Sequence, residues 1–146
     1  MPDCYACKVT AEGEAAPLWE RIYVDEHWRV AHAYDSSLPG WLVLVARRHI
    51  ESLAEATERE AAALGPLLRA LSLALQDVTG ATKAYVMFFA EDPRHRHAHI
   101  HVVPRLPDLP AEHLGPRVFH YLTDPGREVV SEEARDELAA RIGARL

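Results

Sequence analysis

The sequence predicts an α+β domain in which an antiparallel sheet of about five strands packs against one long helix. Two observations support this fold class. Short runs typical of strands, bounded by turn-forming residues, occur in the first third of the chain and again after residue 80. Between them, leucines repeat at helical spacing. The chain has 146 residues, of which 49% are hydrophobic, and this is enough for one domain with an ordinary core.

Three strands are predicted before the helix. Residues 21–24 and 27–33 have the alternation expected of strands and should form a hairpin. A turn at residues 35–40 leads into the apolar run Trp41–Ala46, which is short enough for a buried strand. His49 lies just beyond the end of this strand.

The long helix is predicted over residues 57–79. Thr57 and Glu60 have the spacing of a capping box at its start, and Gly80 is placed to end it. The apolar stripe consists of Leu64, Leu67, Leu68, Leu71, Leu75 and Val78. Because Gly65-Pro66 interrupts this pattern, we expect the helix to be kinked or divided there.

A strand at residues 84–90 and a histidine-rich strand complete the predicted sheet. The second strand alternates His95, His97, His99 and His101 with the apolar residues Ala98, Ile100 and Val102, and Pro104 should close it. Thr, Lys, Glu or Ser usually fill an exposed strand face, so four imidazoles in register indicate a site.

The spacing of these histidines limits what they can bind. His97 and His101 are roughly 13 Å apart along a strand, so at most two neighbours can share one metal ion. The row as a whole suits an extended anion, with one imidazole as nucleophile and the others as hydrogen-bond donors or proton carriers.

The C-terminal part of the chain differs in character from the rest. The prolines in residues 106–116 prevent this stretch from forming the interior of a helix or of a hydrogen-bonded strand pair. We therefore expect an extended arm over the surface. Val118–Leu122 is apolar enough to dock, and an amphipathic helix should begin at Ser131. We therefore predict a domain over residues 1–105, with an arm and helix over residues 106–146 packed on it.

Charge and composition exclude several classes of partner. The formal net charge of −6 offers no basic surface for long nucleic acid, whereas residues 94–105 carry arginines and histidines without an acid and suit a small anion. No apolar run approaches the roughly 20 residues that span a membrane, and the N-terminus lacks the features of a signal peptide. A cytoplasmic protein is expected.

Cys4 and Cys7 are the two cysteines of the sequence. In a cytosolic chain, Cys-x-x-Cys indicates metal ligands or a redox pair rather than a structural disulfide. A redox motif usually follows a strand, and only three residues precede Cys4. A zinc site needs two more ligands, so the residues alone leave zinc binding and unpaired surface thiols equally open.

Two segments of the chain resemble the histidine-triad (HIT) superfamily of nucleotide hydrolases and transferases. His97-Ala-His-Ile-His101-Val-Val reads as His-x-His-x-His followed by two apolar residues, and Leu38–Ile50 is similar to the family's Pro-Gly-x-x-Leu-Val strand that ends in a basic residue and histidine. The resemblance extends to about Arg105. It implies the HIT fold and two sheets that can join edge to edge as a homodimer.

The resemblance implies a role for each matching residue. His99 matches the nucleophile that attacks the α-phosphorus, with a main-chain carbonyl near the first histidine holding the proton on its other ring nitrogen. His101 matches the histidine that hydrogen-bonds the phosphate oxygens, and His97 orients the strand. The ligands of a structural zinc ion would be Cys4, Cys7, His49 and His97.

Some positions depart from the family pattern. Ala33 stands where HIT proteins usually have the Asp that holds the ribose, and His32 and Asp35 are the neighbours that could replace it. The polar residues that usually precede the triad are also missing. We expect Arg94 and Arg96 to bind phosphate in their place, and His95 to act as a proton donor or as an ordinary exposed residue.

Three functions are therefore considered. We favour a nucleotide hydrolase or nucleotidyl transferase that forms a covalent nucleotidyl-histidine on a small nucleotide substrate. The second is a nucleotide-binding or scaffolding protein of the same fold with little turnover, and the third is a metalloenzyme whose working metal is bound by the histidine row.

Overall fold

The computed structural model describes residues 3–146 and contains a five-stranded antiparallel sheet. The strands are β1 (Tyr23–Val24), β2 (Trp28–His32), β3 (Leu42–Ala46), β4 (Lys83–Phe88) and β5 (His99–Arg105). Their order across the sheet is β1-β2-β3-β5-β4. The α-helices are α1 (Tyr5–Glu12), α2 (Glu58–Thr79), α3 (His120–Thr123) and α4 (Glu132–Gly143). The predicted α+β fold with about five strands and one long helix is confirmed.

Helix α2 begins and ends where its sequence signals lie. The Thr57 hydroxyl accepts from the Glu60 N–H, and the Glu60 carboxylate accepts from the Thr57 N–H at 2.7 Å. Gly80 ends the helix with a φ of 75°. The expected division at Pro66 was wrong, because α2 is continuous over 22 residues. The leucines buried on both sides of Pro66 outweigh the single backbone hydrogen bond that it removes.

Packing of α2 on one face of the sheet forms the main core. Its buried residues include Leu64, Leu67, Leu71 and Leu75, and they pack with Trp28, Val30, Leu44, Ile100 and Val102 from the strands. Each fully buried leucine contributes roughly 2 kcal/mol. By length and composition alone α2 could also cross a membrane, but a core helix meets the same test, and the leucine face of α2 lies against the sheet.

Strand β5 starts later and ends later than its sequence predicts. It begins at His99, whereas His95 lies in a 3-10 turn and His97 just before the strand. The prediction that Pro104 closes the strand was wrong, because β5 continues to Arg105 in pairing with β4. β3 begins at Leu42, opposite Val102, so Pro104 lies beyond the end of β3.

The first part of the C-terminal segment, residues 115–123, covers the other face of the sheet, whereas α4 joins the main core. Val118 is fully buried there and Tyr121 nearly so, together with Trp41 and Val103. Helix α4 starts after Ser131, whose hydroxyl accepts from the Ala134 N–H at 3.1 Å, and it packs against α2. The division into residues 1–105 and an added C-terminal part stays a prediction.

Candidate active site and metal-binding cluster

A cavity of about 500 Å³ lies on the sheet face opposite α2, within the usual size range of small-molecule sites. The small side chains of Ala31, Ala33, Val43 and Val45 line it together with His99 and His101. Tyr34, which follows β2, and Phe89, which follows β4, also line it. Because β2 and β4 lie on opposite sides of the β3–β5 pair, the cavity spans the two histidines.

His99 is held with one ring nitrogen free. Its Nδ1 lies 2.7 Å from the main-chain carbonyl of His97. A carbonyl oxygen can only accept, so Nδ1 carries the hydrogen and Nε2 keeps its lone pair. Burial lowers the pKa of His99, which favours the neutral ring. This is the hydrogen bond that the family resemblance implies for a nucleophile.

His101 has the opposite arrangement of donor and acceptor. The indole N–H of Trp41 donates to its Nδ1 at 3.1 Å, so the hydrogen of the neutral ring lies on Nε2. Burial lowers the pKa of His101 to about 3, and the ring is therefore a neutral donor at physiological pH. The ring centroids of His99 and His101 are 5.0 Å apart, which places a ring with a free nitrogen beside a ring that can donate a hydrogen bond.

Sequence reasoning did not find Trp41 as a site residue. Its position after Pro39-Gly40 marks the start of a strand, and a buried tryptophan there is equally expected in a core. Only the contact with His101, which is 60 positions away in sequence, separates the two interpretations.

A buried ion pair at the edge of the cavity was also missed. The Arg29 guanidinium donates to the Glu20 carboxylate at 2.7 Å, and the Tyr5 hydroxyl donates to the same carboxylate. Both charged side chains are almost fully buried. Through Tyr5 the pair connects α1 to β2, and these residues form no motif in the sequence that could have identified them.

The four predicted zinc ligands converge into one cluster. His97 Nδ1 lies 3.2 Å from His49 Nδ1, 3.4 Å from Cys4 Sγ and 3.6 Å from Cys7 Sγ. Cys7 Sγ lies 3.3 Å from His49 Nδ1. A tetrahedral zinc ion would separate neighbouring sulfur and nitrogen ligands by roughly 3.3–3.8 Å, so the cluster fits a single metal ion.

Local structure explains this convergence. Cys4 is the N-cap of α1 and Cys7 lies in its first turn, while His49 follows β3 and His97 precedes β5. The other ring nitrogen of His97 lies 2.6 Å from the Ala46 carbonyl, and that of His49 lies 3.9 Å from the Glu51 carboxylate. Such partners orient metal-binding histidines. Within residues 3–146, this is the one group of His, Cys, Asp or Glu side chains that converges in this way.

The predicted substrate-binding residues are only partly brought together. Asp35, Arg94 and His95 line the cavity. Arg94 forms an exposed ion pair with Asp92 at 2.7 Å. The Tyr34 hydroxyl lies 3.0 Å from His95 Nε2 at the same side of the cavity.

The structure does not bring Arg96 and the His32 ring to the two histidines. Arg96 is exposed and is not among the residues that line the cavity. His32 borders the cavity, but its Nδ1 lies 2.8 Å from the Ala33 carbonyl and its Nε2 accepts from the Gly40 N–H at 3.0 Å. Both nitrogens are therefore used within the fold, which the sequence could not reveal.

The same fold occurs in several solved histidine-triad proteins. One from Sinorhizobium meliloti 1021 is 26% identical, with a TM-score of 0.70 over 87% of this chain and 89% of that one. A zinc-bound histidine-triad family protein from Mycobacterium smegmatis is 20% identical, with a TM-score of 0.68 over 97% of this chain and 94% of that one. A hypothetical histidine-triad nucleotide-binding protein from Sulfolobus tokodaii is 18% identical, with a TM-score of 0.70 over 95% and 91% of the two chains.

No protein-family model and no curated protein sequence matches this chain. The solved structures nevertheless agree with the sequence motif, because His99 and His101 lie at the start of β5 and His97, just before it, belongs to the candidate metal-binding cluster. The resemblance is therefore confirmed: the chain has the histidine-triad fold and carries the triad as His97, His99 and His101.

Proposed function

We propose that this protein is a nucleotide hydrolase or nucleotidyl transferase that acts at the α-phosphate through a covalent bond to His99. The observation that carries the proposal is the pair of fixed imidazoles, with a bare Nε2 on His99 and an Nε2–H on the adjacent His101. A nucleophile beside a donor is what a two-step displacement at phosphorus requires.

The chemistry proceeds by two displacements. The Nε2 lone pair of His99 forms a bond to the α-phosphorus while the bond to the leaving group breaks and the leaving group takes its electron pair. The His97 carbonyl stabilises the positive charge on the imidazole through Nδ1–H, and His101 donates to a phosphate oxygen. Water or another acceptor then attacks the phosphorus and returns the electron pair to His99. The leaving group takes up a proton from solvent and the attacking water releases one to solvent, so proton donation by His95 assists the reaction without being required for it.

We propose zinc as the ion of the Cys4, Cys7, His49 and His97 cluster. Two thiolates and two imidazoles suit zinc, and four protein ligands leave no open position for substrate. The ion would tie α1 to the ends of β3 and β5 and so fix the His97 carbonyl that holds His99. Reduced thiols agree with the cytoplasmic location expected from the sequence.

A nucleotide-binding or scaffolding protein with little turnover is the second candidate, and it is favoured by Ala33.

The homodimer implied by the resemblance stays a prediction. β4 lies at the edge of the sheet, and Val86 on it is 48% exposed, which leaves an edge available to a second copy. A metalloenzyme is less well supported, because the Trp41 N–H places the hydrogen of His101 on Nε2 and leaves His99 Nε2 as the one bare nitrogen of the pair.

Replacement of Trp41 by phenylalanine should lower kcat about tenfold and leave substrate affinity nearly unchanged. Without the indole N–H, His101 can move its hydrogen to Nδ1, and its donor to the phosphate is then lost for part of the time. Steady-state kinetics on one nucleotide substrate measures this effect.

The matched control for this variant is Trp28→Phe. Trp28 is equally buried, and its indole N–H donates to the Glu60 carbonyl at 3.0 Å on the α2 side of the sheet. The Trp28→Phe variant should be less stable than the unmodified protein but should keep the same kcat at a permissive temperature. Equal kcat values for the two variants would show that Trp41 acts only through packing.

The ribose should contribute little to substrate recognition. Ala33 offers no carboxylate to the ribose hydroxyls, so kcat/KM for ribo and 2′-deoxy forms of one adenylyl compound should agree within about tenfold, or roughly 1.4 kcal/mol. A hundredfold preference for the ribo form would instead assign the ribose to Asp35, since both His32 ring nitrogens are already used.

A further inference from the structure

We propose that Phe119 and Phe89 form an aromatic subsite that selects substrates with an uncharged planar aromatic group near the reactive phosphate, and that Phe119 is its specificity-determining residue. This inference rests on the proposed function and names the substrate class of the same site. The observations behind it come from the C-terminal segment, to which the proposed triad mechanism assigns no role.

The C-terminal segment brings Phe119 next to the two histidines. The Phe119 ring centroid lies 5.1 Å from that of His101, 5.4 Å from that of Trp41 and 5.5 Å from that of Phe89. All three contacts are edge-to-face, and both phenylalanines line the cavity. Phe119 therefore lies beside His101, the predicted hydrogen-bond donor to the substrate phosphate. From there its ring can contact a group attached to the phosphate.

The segment that carries Phe119 is fixed in place. Val118, its neighbour, is fully buried. The Tyr121 carbonyl accepts from the Ser37 N–H at 2.8 Å and from the Ser37 hydroxyl at 3.0 Å. The Gly115 N–H donates to the Tyr85 hydroxyl at 3.0 Å. Because hydrogen bonds on both sides hold the backbone, the position of the Phe119 ring is a defined feature of the site.

Phe89 is held at the cavity in an unusual manner. Its side chain is 54% exposed, although it is large and apolar. The next residue, Ala90, has a φ of 55°, a left-handed conformation that a residue with a Cβ rarely adopts, and Ala90 also lines the cavity. An exposed ring and a strained backbone do not stabilise the fold, and such features concentrate at binding sites.

The charges around the cavity indicate which ligand the rings receive. The charged residues that line it are Glu20, Asp35, Glu91, Asp92, Arg29 and Arg94. Both arginines are already paired, with Glu20 and Asp92 respectively. Four carboxylates therefore face two arginines in this lining. Because a chain of phosphates would add further negative charge, an uncharged aromatic group fits the cavity better than a polyphosphate leaving group.

Either of two parts of the substrate can supply this aromatic group: the leaving group or the nucleobase. The test compares adenosine 5′-phosphoramidates of 2-phenylethylamine and of 2-cyclohexylethylamine, which differ in the planarity of one ring. A second series keeps the phenylethyl group and compares adenosine with uridine. Diadenosine tetraphosphate is the polyphosphate probe. Both kcat/KM and the calorimetric Kd are measured for each compound.

The protein should prefer the phenyl over the cyclohexyl compound by roughly three- to tenfold in kcat/KM, and both over diadenosine tetraphosphate. Phe119→Leu, which keeps an apolar side chain without a ring, should reduce the ring preference to within about twofold. Phe89→Ala should do the same without a folding defect, because its side chain is more than half exposed. Val129→Ala, at an exposed apolar residue outside the cavity, is the control.

A reduced preference for the phenyl group in the Phe119→Leu variant would place the leaving group at this subsite, and a reduced preference for adenine would place the nucleobase there. The inference is overturned if both preferences survive in Phe119→Leu and Phe89→Ala, or if diadenosine tetraphosphate is the best substrate. If the unmodified protein turns over none of the compounds, the proposed function fails. The inference then depends on Kd alone, and equal Kd values for the phenyl and cyclohexyl compounds would overturn it.

Discussion

Replacement of His99 by alanine or asparagine is expected to reduce turnover by roughly 10⁴-fold or more while nucleotide binding changes by only a few fold. His99 presents the one bare ring nitrogen of the pair, and its contribution is to bond formation rather than to ground-state contact. Intact-mass spectrometry of the unmodified protein mixed with nucleoside phosphoramidates and dinucleoside polyphosphates should detect a covalent nucleotidyl adduct. The His99 variants should form none.

His95→Ala is the matched control for these variants. It removes a second imidazole from the cavity lining, but His95 lies in the 3-10 turn and contacts Tyr34 instead of the triad. Among the histidine variants, His95→Ala should show the smallest decrease in turnover rate. Full activity of the His99 variants would end the covalent mechanism. Tight nucleotide binding without adduct or turnover in the unmodified protein would support the scaffolding function.

Loss of the proposed metal ion should lower the stability of the protein more than any other change considered. Protein purified without added metal should contain about one zinc ion per chain, and Cys4→Ala should lower Tm by about 10 °C. This shift corresponds to roughly 3 kcal/mol of lost binding free energy in a domain of this size. The effect on Tm should exceed the effect on activity at a permissive temperature, because Cys4 is one of the four proposed metal ligands and its Sγ is hydrogen-bonded to His97 and not to His99 or His101.

A chelator distinguishes loss of the metal from loss of a side chain. It should lower the Tm of the unmodified protein toward that of Cys4→Ala and leave the variant almost unchanged. Glu12→Ala, at an exposed position of α1, controls for any change in this helix. Near-zero zinc in carefully prepared protein would contradict the proposed site. Chelation that abolishes turnover but leaves Tm unchanged would favour the metalloenzyme.

The sequence by itself determined the features that depend on neighbouring residues. The capping box at Thr57 and the stop at Gly80 set the ends of α2, because each is an interaction within a few residues. Alternation in residues 27–33 predicted β2, and the short apolar run Trp41–Ala46 predicted β3. The motif His97-x-His99-x-His101 predicted the candidate nucleophile and its partner, although their roles came from the family resemblance. That resemblance also supplied the set of metal ligands, which the spacing of Cys4 and Cys7 left open.

Only the tertiary structure decided the features that depend on distant residues. The Trp41 N–H determines which ring nitrogen of His101 carries the hydrogen, although the two residues are 60 positions apart. The candidate metal-binding cluster brings together Cys4 and His97, which are 93 positions apart. The placement of Phe119 beside the histidines depends on how the C-terminal segment docks on the sheet. The position of a ring relative to such partners is set by packing of the whole domain, and local sequence periodicity carries no information about it. The sequence therefore predicted the candidate reactive residues, while the fold determined their tautomers and surroundings.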